Sequence, residues 1–411
     1  MKIVYIHQYF KTPREAGGTR SYEMARRLVA HGHEVEMITT KSSGKAFKKW
    51  LESEVAGIHV HRLYVPYNNS MTFIRRLIAF FKFAVKSARK AASFKHADIV
   101  FASSTPLTVA IPAVYASRKR RIPLVFEIRD LWPELPIAIG ALKNRLVIFA
   151  AKKLEKFAYS NSSQIVALSP GMKHGIAKTG YSPERIHVIP NSCDVDLFSF
   201  PRDKTSAFRS RFSWLKKRPL VVYAGTIGKI NGVDFLARIA KAMLNMNANV
   251  RFLVVGEGAE YNKVKEVAYS LGILEKNFFM IPAIPKSEMP MVLSAADIAT
   301  SLFIDLPEMW NNSANKFFDA LASGTPVVVN YRGWQAELIE KHSAGLVVDG
   351  KDEKMGARLI ARLLADPEQL ERAGVAAHRL ANECFDRDKM ANNLEQVFLD
   401  VVDKKRNMRC R

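Results

Sequence analysis

The sequence predicts two doubly wound α/β domains in tandem. Its 411 residues exceed what one hydrophobic core usually serves, so two domains of roughly 200 residues are expected. Short apolar, β-rich runs alternate with helical patterns along the chain, which argues for parallel strands in βαβ units. The polar, basic stretch PRDKTSAFRSRFSWLKKRP breaks the alternation once, after Phe198, and a second series of the same kind then starts.

The first series opens with KIVYIH (2–7), a glycine-bearing loop at Gly17 and Gly18, and a helical SYEMARRLVAHG (21–32). Further strand-like runs are EVEMITT (34–40), ADIVFASS (97–104), PLVFEIRD (123–130), QIVALS (164–169) and RIHVIPNS (185–192). The second series holds LVVYAGT (220–226), VRFLVVGEG (250–258), FFMIP (278–282), DIATSLF (297–303), PVVVN (326–330) and GLVVD (345–349). Each run ends where glycine, asparagine or a charge appears. Helices are expected across 232–245 and near 260–271, and the tail from Phe385 onward is helical in pattern. In such sheets ligands bind outside the carboxyl ends of the strands. Domains are therefore expected over 1–197 and 198–384, facing a central cleft, with a helical segment over 385–411.

Composition narrows the classes. An apolar content of 48% without low-complexity tracts describes an ordered globular chain. Cys193, Cys384 and Cys410 are too scattered for a zinc knuckle or a disulfide framework, and a reducing cytosol fits. The start, MKIVYIHQYF, reads as a strand rather than a secretory leader. No apolar run reaches the roughly 18 residues of a spanning helix, so a soluble or peripheral protein is expected. The net charge is +23, and residues 1–200 hold 31 Lys and Arg against 14 Asp and Glu. Residues 201–411 hold 31 against 25, so the excess belongs to the first half. An anionic partner follows: nucleic acid or an anionic membrane face.

Two strand-to-helix junctions of the second domain carry the chemistry. In Gly225-Thr-Ile-Gly-Lys-Ile-Asn-Gly232, close glycines let a backbone approach a ligand, and a helix start favours an anion. Lys229 inside this loop suits a phosphate, although a plain tight turn explains the glycines as well. The second junction is WNNSANKFFDALASG (310–324), where Ser313 is a good N-cap and the backbone amides of Ala314 and Asn315 follow it. Lys316 in a first turn runs against the helix dipole, which makes sense if a bound dianion lies there. Asp319 is near the same face and suits sugar hydroxyls. The bland alternative is a surface Lys316–Asp319 pair of little energy.

These pieces, taken in order, resemble family 4-type glycosyltransferases over nearly the whole chain. VIPNSCDVDLF (188–198) is similar to that family's VIPNG-x-D-x-x-x-F signature. VYAGTIGKINGVDFL resembles its donor-phosphate loop and FLVVGEGAE, with Glu257 and Gly258, its V-G-x-G-P-type segment. SANKFFDALASGTPVVV resembles the stretch with paired acids, and FEIRDLWPE (126–134) resembles the bacterial surface-polysaccharide branch (O-antigen and capsule). The resemblance implies a GT-B fold, with the nucleotide-sugar held mainly by the second domain, the acceptor by the first, and the C-terminal helix returning to the first. It implies retention of configuration without a double displacement. Asp319 matches the second acid of an E-x7-E pair, the one holding the ribose. The first acid falls on Asn311, a departure, with Glu308 as a substitute. Thr226 and Asn231 stand where the family has its diphosphate-binding Arg and Lys, which leaves Lys229 and Lys316 as replacements. Ile284 matches a backbone position touching the base, and Gly17 and Gly18 a loop facing donor phosphates and acceptor. Arg129-Asp130 stands for the family's His-Asp pair, with Asp130 orienting a hydroxyl or merely capping a turn.

No metal or other cofactor is expected. Asp194-Val-Asp196 is formally a D-x-D, but it lies at the crossover, and the histidines offer no helical i,i+4 ligand pair. MTFIRRLIAFFKFAVKSARKAASFK (71–95) is amphipathic and cationic. Phe73, Leu77, Phe80, Phe81, Ala84 and Ala88 share one face, and Arg75, Lys82, Lys86 and Arg89 another. With Arg76 and Lys90, these cations and aromatics fit an anionic membrane surface, whereas the alternative is an ordinary solvated helix. The expectation is a transferase moving a sugar, with an N-acetylated amino sugar in view, from a UDP-linked donor to a lipid-diphosphate-linked glycan. It would work in the cytoplasm, peripherally on the inner face of the cell membrane. Rival expectations are a GT-B-fold sugar-nucleotide epimerase and a basic nucleic-acid-binding protein. The second lacks any recognition-helix, RNP-like or OB-type motif.

Overall fold

A computed structural model describes residues 1–15, 17–42, 44–68, 71–198 and 208–409. Cys410 and residues 201–207 of the basic stretch after Phe198 lie outside the described residues, as does the side chain of Phe73. The chain divides into two compact units. One comprises Met1–Thr12, Thr19–Pro190 and Asp388–Arg411, the other Pro13–Gly18 and Asn191–Arg387.

The first unit holds eight strands: β1 (Lys2–Ile6), β2 (Glu34–Lys41), β3 (Leu51–Val55), β4 (Ile58–Tyr64), β5 (Ile99–Ser103), β6 (Leu124–Ile128), β7 (Gln164–Ala167) and β8 (Ile186–Val188). Their order is β3-β4-β2-β1-β5-β6-β7-β8. All pairings are parallel except β3 with β4. The edge pair β3 and β4 has no counterpart in the expected strands. LESEV is a mostly exposed edge strand, and in IHVHRLY alternating His and Arg hide the apolar face. On β1, alternation sends Val4 and Ile6 into one core and Ile3 and Tyr5 into the other. The helices Phe73–Ala91, Ala110–Arg120 and Arg145–Ser160 supply Phe83, Val114 and Tyr159 to the Val4 side. Helix Arg20–Ala30 and the last helix, Arg387–Arg409, supply Met24, Leu28, Leu394 and Phe398 to the Ile3 side.

The second unit is a parallel sheet of β9 (Leu220–Ala224), β10 (Arg251–Val255), β11 (Phe278–Ile281), β12 (Ile298–Ser301), β13 (Val327–Val329) and β14 (Gly345–Val347). The order is β11-β10-β9-β12-β13-β14. The first three strands thus step one way from β9 and the last three the other. This is the doubly wound plan, whose loops part at the point of reversal. One sheet face packs on helices Asp234–Asn245, Tyr261–Ser270 and Glu353–Leu364 through Phe235, Val264 and Ile360. Helix Asn315–Ala322 buries Phe317 and Phe318, whose rings meet edge to face at 5.2 Å.

Phe398 is fully buried, with its ring centroid 5.0 Å from Phe101, which lies 4.5 Å from Tyr5. Phe398→Ala is expected to cost the first unit about 3–5 kcal/mol. Denaturant unfolding, followed by a probe in that unit, checks this as a fall in midpoint.

Candidate functional site

In the second unit the site lies where β9 and β12 part. The loop after β9 begins at Gly225, and the segment after β10 carries Glu257 and Gly258. The two are joined backbone to backbone: Gly225 N–H donates to Val255 O at 2.9 Å, and Ile227 N–H to Glu257 O at 2.9 Å. A Cβ on Gly256 would stand 1.9 Å from Gly225 O, and one on Gly258 would stand 2.3 Å from Ile227 O. Both have φ near +157° as well (156° and 157°). The glycines of the GEG segment therefore serve the close stacking of two loops. Lys229 is exposed on the turn Lys229–Asn231, where the Asn231 side chain accepts from Gly228 N–H at 3.2 Å.

Lys316 projects from the first turn of helix Asn315–Ala322 toward Gly225, its Cδ 3.6 Å from where a Cβ would stand. Its Nζ lies 4.7 Å from the Phe303 ring centroid and 5.2 Å from that of Tyr223. Tyr223 is pinned by donating its hydroxyl to Thr226 O at 2.6 Å. Phe303 is pinned through its backbone, which exchanges two hydrogen bonds of 2.9 Å with the Asn330 side chain. Among the described residues no carboxylate pairs with Lys316, and burial lowers its ammonium to about 7. The alternative, a Lys316–Asp319 pair, is not formed. Asp319 pairs instead with Lys286, which the sequence reading passed over.

Ser313 is not the N-cap. Helix Asn315–Ala322 is capped by Ala314 without a side-chain bond, and Ser313 Oγ accepts from Asn191 N–H at 3.0 Å. Asn191 Nδ2 donates to Ser313 O at 2.5 Å. The VIPNSCD motif thus anchors the start of the Lys316 helix. Arg387 holds its other end, with Nη2 donating to Ser192 O at 2.6 Å and Nη1 3.1 Å from Asp194 Oδ2. Asp194 is committed to that ion pair. Glu308 and Asn311 share the turn Pro307–Asn311, Glu308 exposed and Asn311 half-buried. Ile284 is half-buried, two residues before Lys286.

In the first unit the expected pair Arg129-Asp130 follows β6. Arg129 N–H donates to Ser104 Oγ at 3.0 Å, and Thr105 Oγ1 donates to Asp130 Oδ2 at 3.1 Å. Burial raises the Asp130 carboxyl, against the pull of the Arg129 charge. These groups join a buried network that sequence reasoning missed. Glu127, fully buried, accepts from Arg20 Nε at 2.9 Å and from Ser103 Oγ at 2.5 Å. Burial alone would raise the Glu127 carboxyl, but Arg20 and then Arg129 outweigh it and leave it lowered. Arg20 also donates to Pro190 O at 2.5 Å and Ile189 O at 2.9 Å. His7, at the end of β1, is lowered to about 4 by burial and by Arg129, so it is neutral at pH 7. Its Nδ1 lies 3.2 Å from Ser103 O, which can only accept, so the proton sits on Nδ1. Nε2 is left to accept from Arg129 Nη1 at 3.3 Å. Gly17 and Gly18 are exposed and fall in the second compact unit.

Glu34, Glu36 and His59 bring ligand atoms within 4.8 Å of one another. Lys2 Nζ already pairs with both glutamates there, at 3.0 Å from Glu36 Oε1, so the cationic charge is supplied by the chain.

The amphipathic helix spans Phe73–Ala91, but its buried face differs from the expected one. Ala79, Phe83, Ala84, Ser87 and Ala91 face the core, while Phe81 is exposed and Phe80 half-buried. Ile74, Ile78, Phe81 and Val85 form an exposed apolar stripe, beside which Arg75, Lys82, Lys86 and Arg89 are exposed. Lys90 is withdrawn, since its Nζ pairs with Glu52 Oε1 at 2.7 Å, and Arg76 is half-buried. No helix among the described residues is long and apolar enough to cross a membrane.

Two family models match the chain in tandem: Glycosyl transferase 4-like domain over residues 16–192, and Glycosyl transferases group 1 over residues 205–379. A D-inositol 3-phosphate glycosyltransferase of Segniliparus rotundus is 31% identical over 201 residues, 47% of this chain and 43% of the relative. The chain spans about half the length of the curated relatives it matches. Sucrose-phosphate synthase from Thermosynechococcus elongatus superposes with a TM-score of 0.80 at 17% identity, over 98% of this chain and 99% of that one. Anabaena Alr3699/HepE in complex with UDP superposes at 0.72 and 17%, over 97% and 100%. At these identities the likeness is one of fold. Two Rossmann-like sheets and two matching models in this order place the chain among the group 1 glycosyltransferases of family 4, with the GT-B fold.

Proposed function

We propose that the chain is a retaining glycosyltransferase that takes a sugar from a UDP-linked donor and passes it to a lipid-diphosphate-linked glycan in bacterial surface-polysaccharide assembly. One observation carries the donor half: the ammonium of Lys316, set over two aromatic rings at the switch point without a carboxylate partner. A cation held there is poorly compensated until an anion arrives. As the bond from the sugar's anomeric carbon to the diphosphate breaks, charge grows on the leaving oxygen. A preorganised cation beside that oxygen stabilises the transition state more than the ground state. Lys229 and the amides of the Gly225 loop are the other donors available to it. Asn311 stands where relatives place an acid for the donor sugar, and an N-acetylated amino sugar is the donor we favour. In the acceptor unit, Asp130 is the group offered to a hydroxyl. Neutral His7, bridging Ser103 and Arg129, keeps the guanidinium beside it in place.

The membrane half rests on helix Phe73–Ala91. Ile74 is 69% exposed and Val85 59%, and the stripe they bound is flanked by four exposed cations. Helix Arg145–Ser160 adds exposed Leu146 and Phe149, with Lys152, Lys153 and Lys156 exposed. Exposed apolar side chains interleaved with cations suit an anionic lipid interface better than a nucleic-acid backbone.

Four outcomes are expected. In a panel of UDP-, GDP- and dTDP-sugars, UDP forms give the largest rise in melting temperature, and no rise with any nucleotide sinks the donor reading. Because burial lowers Lys316 and a bound diphosphate raises it again, binding takes up a proton above pH 7. UDP affinity in wild type should then fall toward pH 9, by up to about tenfold per unit, while Lys316→Met binds more weakly at pH 7 and loses that slope. Asn311→Ala should remove transfer while UDP still binds, whereas retained transfer assigns the sugar to Glu308. Vesicles containing anionic lipid should sediment the wild-type chain, and a Lys82→Glu/Lys86→Glu/Arg89→Glu variant should stay in solution. Equal binding by both defeats the membrane reading.

A further inference from the structure

Asp319 is 5% exposed on a helix whose neighbouring positions, Phe317, Phe318 and Ala320, are all buried. A charge buried at that depth is costly unless it is paired and hydrogen-bonded. The partner is Lys286, on the turn Lys286–Glu288 that follows β11, and the contact runs from Nζ to Oδ2 alone. The ammonium is held in turn over the ring of Phe198, 5.2 Å from its centroid. Oδ1 is buried and has no hydrogen-bond partner among the described residues.

An ion pair that served stability alone would be a poor solution. Burying two charges is costly in itself, and an unsatisfied oxygen adds its own desolvation penalty. A one-sided pair makes sense if the second oxygen is kept for something that arrives later. The chemistry of the place limits what arrives. Asp319 and Lys286 together are neutral, so the orphan oxygen attracts a hydrogen-bond donor rather than a free cation or anion. One turn earlier on the same helix stands Lys316, without a carboxylate partner among the described residues. A ligand that places a diphosphate at Lys316 and a hydroxyl pair near Asp319 is a nucleoside diphosphate with an intact ribose.

We propose that Lys286 is a positioning residue for ribose recognition. By engaging Oδ2 it holds Asp319 in one rotamer, so that Oδ1 faces the 2′- and 3′-hydroxyls. Lys286 itself does not touch the sugar. Because it lies two residues after Ile284, the strand-end loop that the family resemblance places against the base also sets the acid that reads the ribose. The inference rests on the nucleotide reading of the site given above.

The test measures binding of UDP, 2′-deoxy-UDP and 3′-deoxy-UDP to the full chain by calorimetry. Wild type should bind UDP about ten- to a hundredfold more tightly than at least one deoxynucleotide, the range for a hydrogen bond to a charged group. In Lys286→Met, with the Asp319 carboxylate free to turn, that ratio should collapse to about threefold or less, and K286R should restore most of it. D319N should abolish it with Lys286 intact. A merely structural role for Lys286 would lower the melting temperature and leave the ratio alone, which overturns the proposal. If K286M does not fold, K286Q takes its place with the same expected loss, and a retained ratio overturns the proposal again. Absence of UDP binding to wild type removes the nucleotide reading itself. UDP binding without discrimination against either deoxynucleotide leaves the diphosphate site standing and removes only the ribose role.

Discussion

A parallel sheet built by right-handed crossovers can grow only outward from its first strand, and when growth changes side the loops at the carboxyl ends must part. In the second unit this happens between β9 and β12, and in the first between β1 and β5. Polar groups of both candidate sites stand at these two places. The Gly225 loop and Lys316 lie at the first. His7 and Ser103 lie at the second, with Glu127 on the next strand, β6, and Arg129 and Asp130 just after it. The backbone there is irregular because it has no neighbour on one side. That freedom lets glycine loops stack at the distances seen between Gly256 and Gly225.

The buried charges at the two places are treated differently. Arg20 and Glu127 form a satisfied pair, in which the guanidinium reaches one carboxylate oxygen and two carbonyls and Ser103 covers the other oxygen. Such a network holds the helix Arg20–Ala30, the end of β6 and the segment at Ile189 in one register. Lys286 and Asp319 form a pair with one oxygen left over, and Lys316 forms no ion pair among the described residues. The gradation from satisfied to unsatisfied follows the step from frame to proposed binding group. Unsatisfied polar groups in low dielectric are costly, and on the proposed reading a bound nucleotide offsets that cost at Lys316 and Asp319.

Much of the frame was legible in the sequence. Strands of the second unit fall where apolar runs such as FFMI and VVV stand, because a strand covered on both faces must be continuously apolar. Strands β3 and β4 escaped because β3 is an exposed edge and β4 alternates histidine and arginine with its apolar residues. The amphipathic helix was legible in its extent. Its face was not, since Phe81 and Phe83 are equally apolar in sequence and only packing decides that one is exposed and the other buried. Ser313 looked like a cap because serine before a helix usually is one. Here its hydroxyl was claimed by Asn191, 122 positions away.

The sequence by itself determined two Rossmann-like sheets, the glycine loop, the positions of Lys316 and Asp319, and the cationic excess of the first half. These are properties of period, composition and local spacing, which chain-neighbour physics sets. Tertiary structure alone decided who pairs with whom. Lys316 is three residues from Asp319 and stays unpaired, while Lys286 comes from another strand end to meet that carboxylate. The reason is physical: the fold places Tyr223 and Phe303 under one ammonium and Phe198 under the other, and burial rather than sequence distance fixes which charge a carboxylate can reach.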